Sequence, residues 1–351
     1  MKNIEGQKLF LHPDRVSSWV SGESIAPIYI EVSPTSICNH KCFFCAPDYM
    51  KQNKSIDADI LITALDELSD LGSGAYMVAG EGEPFLHKDI LRILIEPALD
   101  MSITTNGVLA TSDKLQSFMS FAHWIRFSVD AGTEATYALV HGTQANDFGK
   151  VIDNIKSAVN INKLFRWNEE NSCDVDVQFL VLPENIYELP IFLDIMTQLG
   201  VCSIQIKPYS HNPKSSHCNI ANYTKADIEF IEQVIGEFSD PRIIFRKESM
   251  LSYMEGSKCD HCYAMPFFAY IDSMGNYWTC GSMLGDERFL AGNIYNDSVR
   301  DIVYGKQLAE IHKFARYDLD VKAECRANCR LARMNEYLSA VINPPRSWNF
   351  V

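Results

Sequence analysis

The chain has no long hydrophobic run. None of its apolar stretches reaches the eighteen or so residues that a membrane-spanning helix needs. The N-terminal "MKNIEGQKLFLHPDRV" has neither the apolar core of a signal peptide nor the Arg/Ser-rich character of a transit peptide. Positive charge is also scarce: 31 Lys and Arg stand against 45 Asp and Glu, a formal net charge of −14. Such a surface repels phosphate backbones, which excludes a general nucleic-acid binder. There is no internal repeat and no low-complexity segment. The nine histidines fall into no metal-like spacing, and none is assigned to a metal. The expectation is a cytoplasmic protein with neither membrane nor nucleic acid as partner.

Cysteine, in contrast, is abundant. Eleven cysteines without a secretion signal argue against a disulfide scaffold and for thiolates that hold metal in a reducing compartment. Cys38, Cys42 and Cys45 crowd into "SICNHKCFFCAP" (36–47). A disulfide would leave one of the three over. A zinc tetrahedron wants four ligands, and this stretch offers three plus a His40 of doubtful reach. Cys173, Cys202 and Cys218 are scattered and read as core or surface residues. Cys259, Cys262, Cys280, Cys325 and Cys329 lie in the last quarter. Two groups in two regions suggest two metal centres.

With 351 residues, 47% of them hydrophobic, the chain can build one large domain plus a small one. Short apolar runs alternate with amphipathic ones over 28–240. Strands are expected at 28–32, 75–80, 102–107, 124–131, 174–182 and 202–208. Helices are expected at 57–72, 87–100, 111–122, 147–164 and 186–200. Such repetition predicts a parallel sheet with right-handed crossovers. Buried parallel strands normally read as continuous aliphatics. Here Tyr29 and Glu31, Arg126, Ser128 and Asp130, Asp176 and Gln178, and Gln205, Lys207 and Tyr209 alternate with apolar neighbours, so each strand has one polar face. A single such strand could be a solvent-facing edge; four together favour a polar, ligand-holding lumen. Beyond residue 240 the rhythm changes to a hairpin turning at Met274-Gly275-Asn276, a helix over "DSVRDIVYGKQLAEIHKFA", and a cysteine-bearing loop entering another helix. The expected division is an N-terminal extension (1–27), a barrel (28–240), a small α+β appendage (241–335) and a tail (336–351).

Three clustered thiolates suit an iron–sulfur cube whose fourth iron stays open. The Cys-x3-Cys-x-aromatic-Cys loop directly after the first strand resembles the radical S-adenosylmethionine (SAM) superfamily. That resemblance implies a partial (βα)6 barrel, with Cys38, Cys42 and Cys45 holding a [4Fe–4S] cluster whose open iron binds SAM, and Phe44 near the adenine. "AGEGEPFLH" resembles the family's Gly-Gly-Glu-Pro segment, with Glu81 replacing one glycine; this implies SAM contacts from Gly80, Gly82 and Glu83. "TTNG" and "SVDA" resemble the family's next strand ends, with Ser128 and Asp130 as candidates for the ribose or methionine carboxylate, and Gln178 as a further cofactor contact. The hairpin bracketed by Cys262 and Cys280, with Cys325 and Cys329 later, resembles the SPASM/twitch appendage and implies an auxiliary [4Fe–4S] cluster on those four. Structural zinc is the alternative there.

The resemblance implies reductive cleavage of SAM to a 5′-deoxyadenosyl radical and removal of a substrate hydrogen atom, with a reductant such as flavodoxin or ferredoxin as partner. Arg126, Asp176, Gln178, Gln205, Lys207 and Tyr209 would cradle the substrate; Cys259, Arg126, Lys207 and Tyr209 are the candidates for catalytic roles. The favoured reaction oxidises a small carbohydrate-like molecule (a sugar, aminosugar or cyclitol) with the auxiliary cluster as electron acceptor. The alternatives are an epimerase that uses Cys259 as hydrogen donor, a peptide-modifying enzyme, and, in a different class, a non-catalytic iron–sulfur carrier or scaffold. For Cys259, ligation of the auxiliary cluster and an incidental role also stay open.

Overall fold

A computed structural model of the chain describes residues 8–168, 172–210, 212–217 and 221–350. Strand and helix alternate through α1 (Pro13–Val20), β1 (Tyr29–Val32), α2 (Ala58–Asp70), β2 (Ala75–Val78), α3 (Ile90–Ile95), β3 (Asp100–Thr105), α4 (Ser112–Phe118) and β4 (Ala122–Ser128). Next come α5 (Glu134–His141), α6 (Asn146–Trp167), β5 (Asp174–Val181), α7 (Leu189–Leu199), β6 (Ser203–Pro208), α8 (Lys225–Phe238), β7 (Ile243–Phe245) and α9 (Lys247–Glu255). The hairpin β8 (Phe268–Ile271) and β9 (Asn276–Trp278) follows, with β10 (Leu290–Asn293) beside it. Four helices close the chain: α10 (Val299–Val303), α11 (Lys306–Tyr317), α12 (Val321–Glu324) and α13 (Ala332–Ile342). No helix among the described residues is long and apolar enough to cross a membrane. Cys218 lies outside the described residues.

The strands form one sheet in the order β10-β9-β8-β1-β2-β3-β4-β5-β6-β7, with β8 and β1 through β7 all parallel. Strands β1 to β6 follow one another in chain order, as in a barrel rather than a doubly wound sheet. All six expected strands are present. The hairpin expected in the appendage pairs with β1 (Tyr29 beside Phe268, Val32 beside Ile271), so the sheet runs on without a break into that region.

The two faces of the sheet differ as the alternation requires. Ile30, Val32, Val78, Ile103, Ile125, Phe127, Val175, Val177, Phe179, Ile204 and Ile206 are buried on the helix-covered side. The other face carries Thr104, Arg126, Asp176 and Ser203 in one cross-strand row, and Ser128, Gln178 and Gln205 in the next.

Several helices depart from expectation. The run over 87–100 is helical only to Ile95, because Pro97 cannot supply the amide that a longer helix would need. The segment read as one helix after β10 splits at Gly305, whose extended backbone (φ −74°, ψ 156°) caps α11. Helices α1, α5, α8 and α9 and strand β7 had no counterpart in the sequence reading.

Of these, α5 matters most to the site. Gly142 ends it at φ 57°. Its last carbonyls, free of helical partners, accept from the cysteine loop: Lys41 N donates to His141 O at 3.0 Å and Phe43 N to Val140 O at 3.3 Å. Glu188 secures the helix start. Its carboxylate accepts from Gly132 N (2.8 Å), Thr133 N (3.0 Å), Thr133 Oγ1 (2.7 Å) and Thr136 Oγ1 (2.6 Å). Burial alone would raise the Glu188 pKa, but these donors outweigh it and hold the group below its ordinary 4.5. A depressed folded-state pKa contributes stability that is present above the unfolded value and lost as pH falls through the folded one. Glu188→Ala is therefore expected to cost about 1.5–3 kcal/mol at neutral pH, read by urea unfolding. The gap to the wild type should close in acid; a gap that does not shrink would remove the carboxylate from this role.

Candidate active site and metal centres

Cys38, Cys42 and Cys45 stand together in the loop after β1. Their charges act on one another, and burial pushes all three thiols up; Lys51 hydrogen-bonds to the Cys45 sulfur and opposes that rise. The loop rests on the turn after β2. A Cβ at Gly82 would overlap the carbonyl oxygens of Ile37 and Thr35, so only glycine permits this approach. Glu83 N donates to Ile37 O at 2.9 Å. The buried Glu83 carboxylate accepts from Thr105 Oγ1 (2.7 Å), Asn106 N (2.8 Å) and Phe85 N (3.1 Å), which fastens the turn to the end of β3. From the other side, Ser215 Oγ donates to Cys45 O at 3.2 Å.

Gly80 (φ +112°) sits where a Cβ would meet Tyr270 Oη and Ser33. Glu81, which departs from the family's glycine, is buried and accepts from Ser273 Oγ at 2.6 Å in the β8–β9 turn. It pins the turn after β2 to the hairpin. Phe44 is buried with its ring edge against His141, at 5.5 Å between centroids.

Sequence reading assigned no histidine, yet a ring nitrogen of His40, the Cys42 sulfur and a ring nitrogen of His141 lie within 4.8 Å of one another. His141 is 99 residues from Cys42 and sits on the unforeseen α5. The signal that could have found the helix is a Thr N-cap at 133 with a Gly stop at 142. Asp130 (φ +54°) is fully buried behind this group: Oδ1 accepts from Leu180 N at 2.7 Å, and Oδ2 lies 3.7 Å from His141 Nε2.

On the polar face, Arg126 stacks over Trp124 (4.3 Å to the ring centre) and pairs with Asp176 at 3.5 Å. The Gln205 amide oxygen accepts from Arg126 at 2.7 and 3.2 Å. Gln178 Nε2 donates to Ser128 Oγ at 2.8 Å. Tyr29 Oη donates to Glu31, which also meets Arg330. Lys207 has no hydrogen-bond or ion-pair partner among the described residues. Burial lowers its pKa, with Arg126, Arg246 and Arg326 acting in the same direction and Asp130 against. Tyr209 is spoken for: its amide donates to Tyr223 Oη (2.7 Å) and its hydroxyl to His217 O (3.2 Å).

Cys262, Cys280, Cys325 and Cys329 converge, each within electrostatic reach of others in the set. The Cys325 thiol hydrogen-bonds to Cys329, pushing the former up and pulling the latter down to about 6, with Arg326 adding to that pull. Cys259 is half-buried against Asn335, with Glu336, Cys329 and Asp260 nearby.

Residues 32–165 carry the domain whose family model is described as the Radical SAM superfamily. A probable GTP 3′,8-cyclase of Saccharolobus islandicus (strain M.14.25 / Kamchatka #1) is 27% identical over 183 residues, 50% of this chain and 55% of the relative. The chain thus spans about half the length of the curated relatives it matches. Among solved structures, Streptococcus suis SuiB bound to the precursor peptide SuiA superposes with a TM-score of 0.66 at 14% identity, over 95% of this chain and 77% of that one. Native anSMEcpe with bound AdoMet gives 0.62 at 14%, over 90% and 99%. At that identity the likeness is one of fold.

The donor set fits the family's cofactors. Three adjacent thiols without a fourth cysteine beside them suit a cube with an open iron.

Burial pushes Glu81 up to about 8, against an ordinary 4.5. A raised carboxylate pKa means that stability falls as pH rises from the unfolded value towards the folded one. Glu81→Gln keeps an acceptor for Ser273 and removes that penalty. Thermal unfolding of the variant should exceed the wild type near pH 8 and converge with it below pH 4.5. Equal melting at both ends would refute the assignment.

Proposed function

We propose that the chain is a radical SAM oxidoreductase acting on a small, polar, carbohydrate-like molecule held against the sheet's polar face. When bound, the cofactors would supply a 5′-deoxyadenosyl radical that removes a hydrogen atom, and an auxiliary centre that takes the remaining electron. Cys38, Cys42 and Cys45 are the ligands for the first cluster, and Cys262, Cys280, Cys325 and Cys329 for the second.

The observation that carries the oxidative reading is the seat of the Cys325–Cys329 loop. Asn328 Nδ2 donates to Tyr209 O at 2.8 Å at the end of β6. Arg326 acts on Lys207 from one side and on Cys329 and Cys280 from the other. An electron leaving a substrate beside Lys207 has a short route to the appendage thiolates. An epimerase would need the Cys259 thiol at the substrate, whereas that thiol faces Asn335. Arg126, Asp176 and Gln205 are already bonded to one another and so preorganised to orient hydroxyl or amino groups. The reductant is proposed to be a flavodoxin or ferredoxin.

Anaerobic incubation with SAM and reductant should yield 5′-deoxyadenosine. Replacing Cys38, Cys42 and Cys45 with Ala should abolish it and remove about half the iron of a two-cube protein; cleavage intact in that variant would end the radical SAM reading. Cys280→Ala should leave SAM cleavage measurable while blocking a product two electrons more oxidised. An epimer carrying solvent deuterium, lost in Cys259→Ser, would instead establish the thiol pathway, and incorporation into a peptide the peptide-modifying one.

A further inference from the structure

His40 is an anomaly among the buried side chains. It is 1% exposed, and neither ring nitrogen has a hydrogen-bond partner among the described residues; the nearest charge is Asp147 Oδ2, at 4.0 Å from Nε2. That carboxylate is itself engaged by Thr143 and Lys150. Leaving a buried imidazole N–H without an acceptor costs about 1–3 kcal/mol. Its ring edges against Tyr137 (5.9 Å) and leans on His141 (5.3 Å), which hold it in place without satisfying it.

His141 is arranged differently. Its Nε2 lies 2.9 Å from Val129 O, an atom that can only accept, so the proton resides on Nε2 and the Nδ1 lone pair points outward. Nδ1 is 3.3 Å from Cys42 Sγ. A histidine whose far nitrogen donates to a backbone carbonyl is the usual arrangement of a metal ligand, since that bond fixes tautomer and ring orientation. Around a tetrahedral zinc with bonds of 2.0–2.1 Å to nitrogen and 2.3 Å to sulfur, the nitrogen and sulfur stand about 3.5 Å apart. The observed separation is close to that, and all three donor atoms fall within 4.8 Å of one another.

We propose that His40, Cys42 and His141 form a mononuclear site for a borderline divalent cation, iron(II) or zinc(II), with a fourth position open to water. Two imidazoles and one thiolate suit these ions and disfavour magnesium or calcium. The site is distinct from the three-thiol cluster in its donors but shares Cys42 with it. The competition between the two rests on the cluster reading given above; the ion site itself does not. Ion and cluster draw on one sulfur, so the trio holds its ion in the chain whose loop lacks a cluster, and in that state cross-links the loop to α5.

Cobalt(II) is the probe, because its visible spectrum reports ligand type and number. The Cys38→Ser/Cys45→Ser variant cannot hold the loop cluster but keeps the trio. It should bind one cobalt ion more than the variant that also carries Cys42→Ser, and the difference spectrum should show a single thiolate-to-cobalt band over a tetrahedral ligand field. Adding His141→Phe, which retains ring packing on Tyr137 and Phe44, should weaken that ion at least tenfold, as should His40→Phe; thermal melting confirms the fold of each. Equal cobalt in the variants with and without Cys42, or binding indifferent to both histidines, overturns the proposal. Wild-type chain with its loop cluster assembled should refuse the extra ion. If wild-type chain never assembles that cluster while the double variant still binds cobalt, the cluster reading falls and the ion site stands.

Discussion

The site depends on one steric fact: the absence of a side chain at Gly82. The turn after β2 and the cysteine loop after β1 approach so closely that the Ile37 and Thr35 carbonyls occupy the space of a Cβ. That contact brings Glu83 N onto Ile37 O and sends the Glu83 carboxylate to Thr105 and Asn106 at the end of β3. Three strand ends are thereby tied together under three thiols. The opposite side of the loop is held by α5, whose orphan carbonyls find the Lys41 and Phe43 amides. A cysteine loop clamped on both flanks presents its sulfurs with little conformational entropy left to lose on ligation.

The polar face follows from the same geometry. A parallel sheet covered by helices on one side can leave polar groups on the other only if they satisfy one another or meet a ligand. Arg126, Asp176 and Gln205 do the former, as do Ser128 and Gln178. Lys207 has no such partner among the described residues.

The barrel was legible in the sequence because side-chain alternation is a local property. Arg126 and Ser128, or Asp176 and Gln178, declare the face of their strand without knowledge of what lies opposite. The cysteine groups were equally visible, through composition and spacing. What stayed hidden involved long separations or short elements. α5 is 8 residues long and carries little periodic signal, yet it brings His141 to Cys42. Glu81 looked like a defective glycine; its reason lies 192 residues on, at Ser273. Cys259 was read as a hydrogen donor, a cluster ligand or an incidental residue; its neighbours Asn335 and Glu336 lie on α13, whose orientation no local pattern encodes.

Charge placement joins these parts. The chain is acidic overall, at −14, yet Arg126, Arg246 and Arg326 gather around Lys207 where the sheet meets the appendage. In a region of low effective dielectric such a concentration is tolerable only where negative charge balances it. Asp176 balances Arg126, and Asp130 acts on Lys207. The remaining candidates for that charge are the thiolates: Arg326 already hydrogen-bonds to Cys329 and acts on Cys280. Because one arginine faces both the appendage sulfurs and Lys207, a change in charge at either place alters the field at the other. The lumen and the second thiol cluster are in that sense one electrostatic unit, although Cys262 lies 55 residues and Cys329 122 residues along the chain from Lys207.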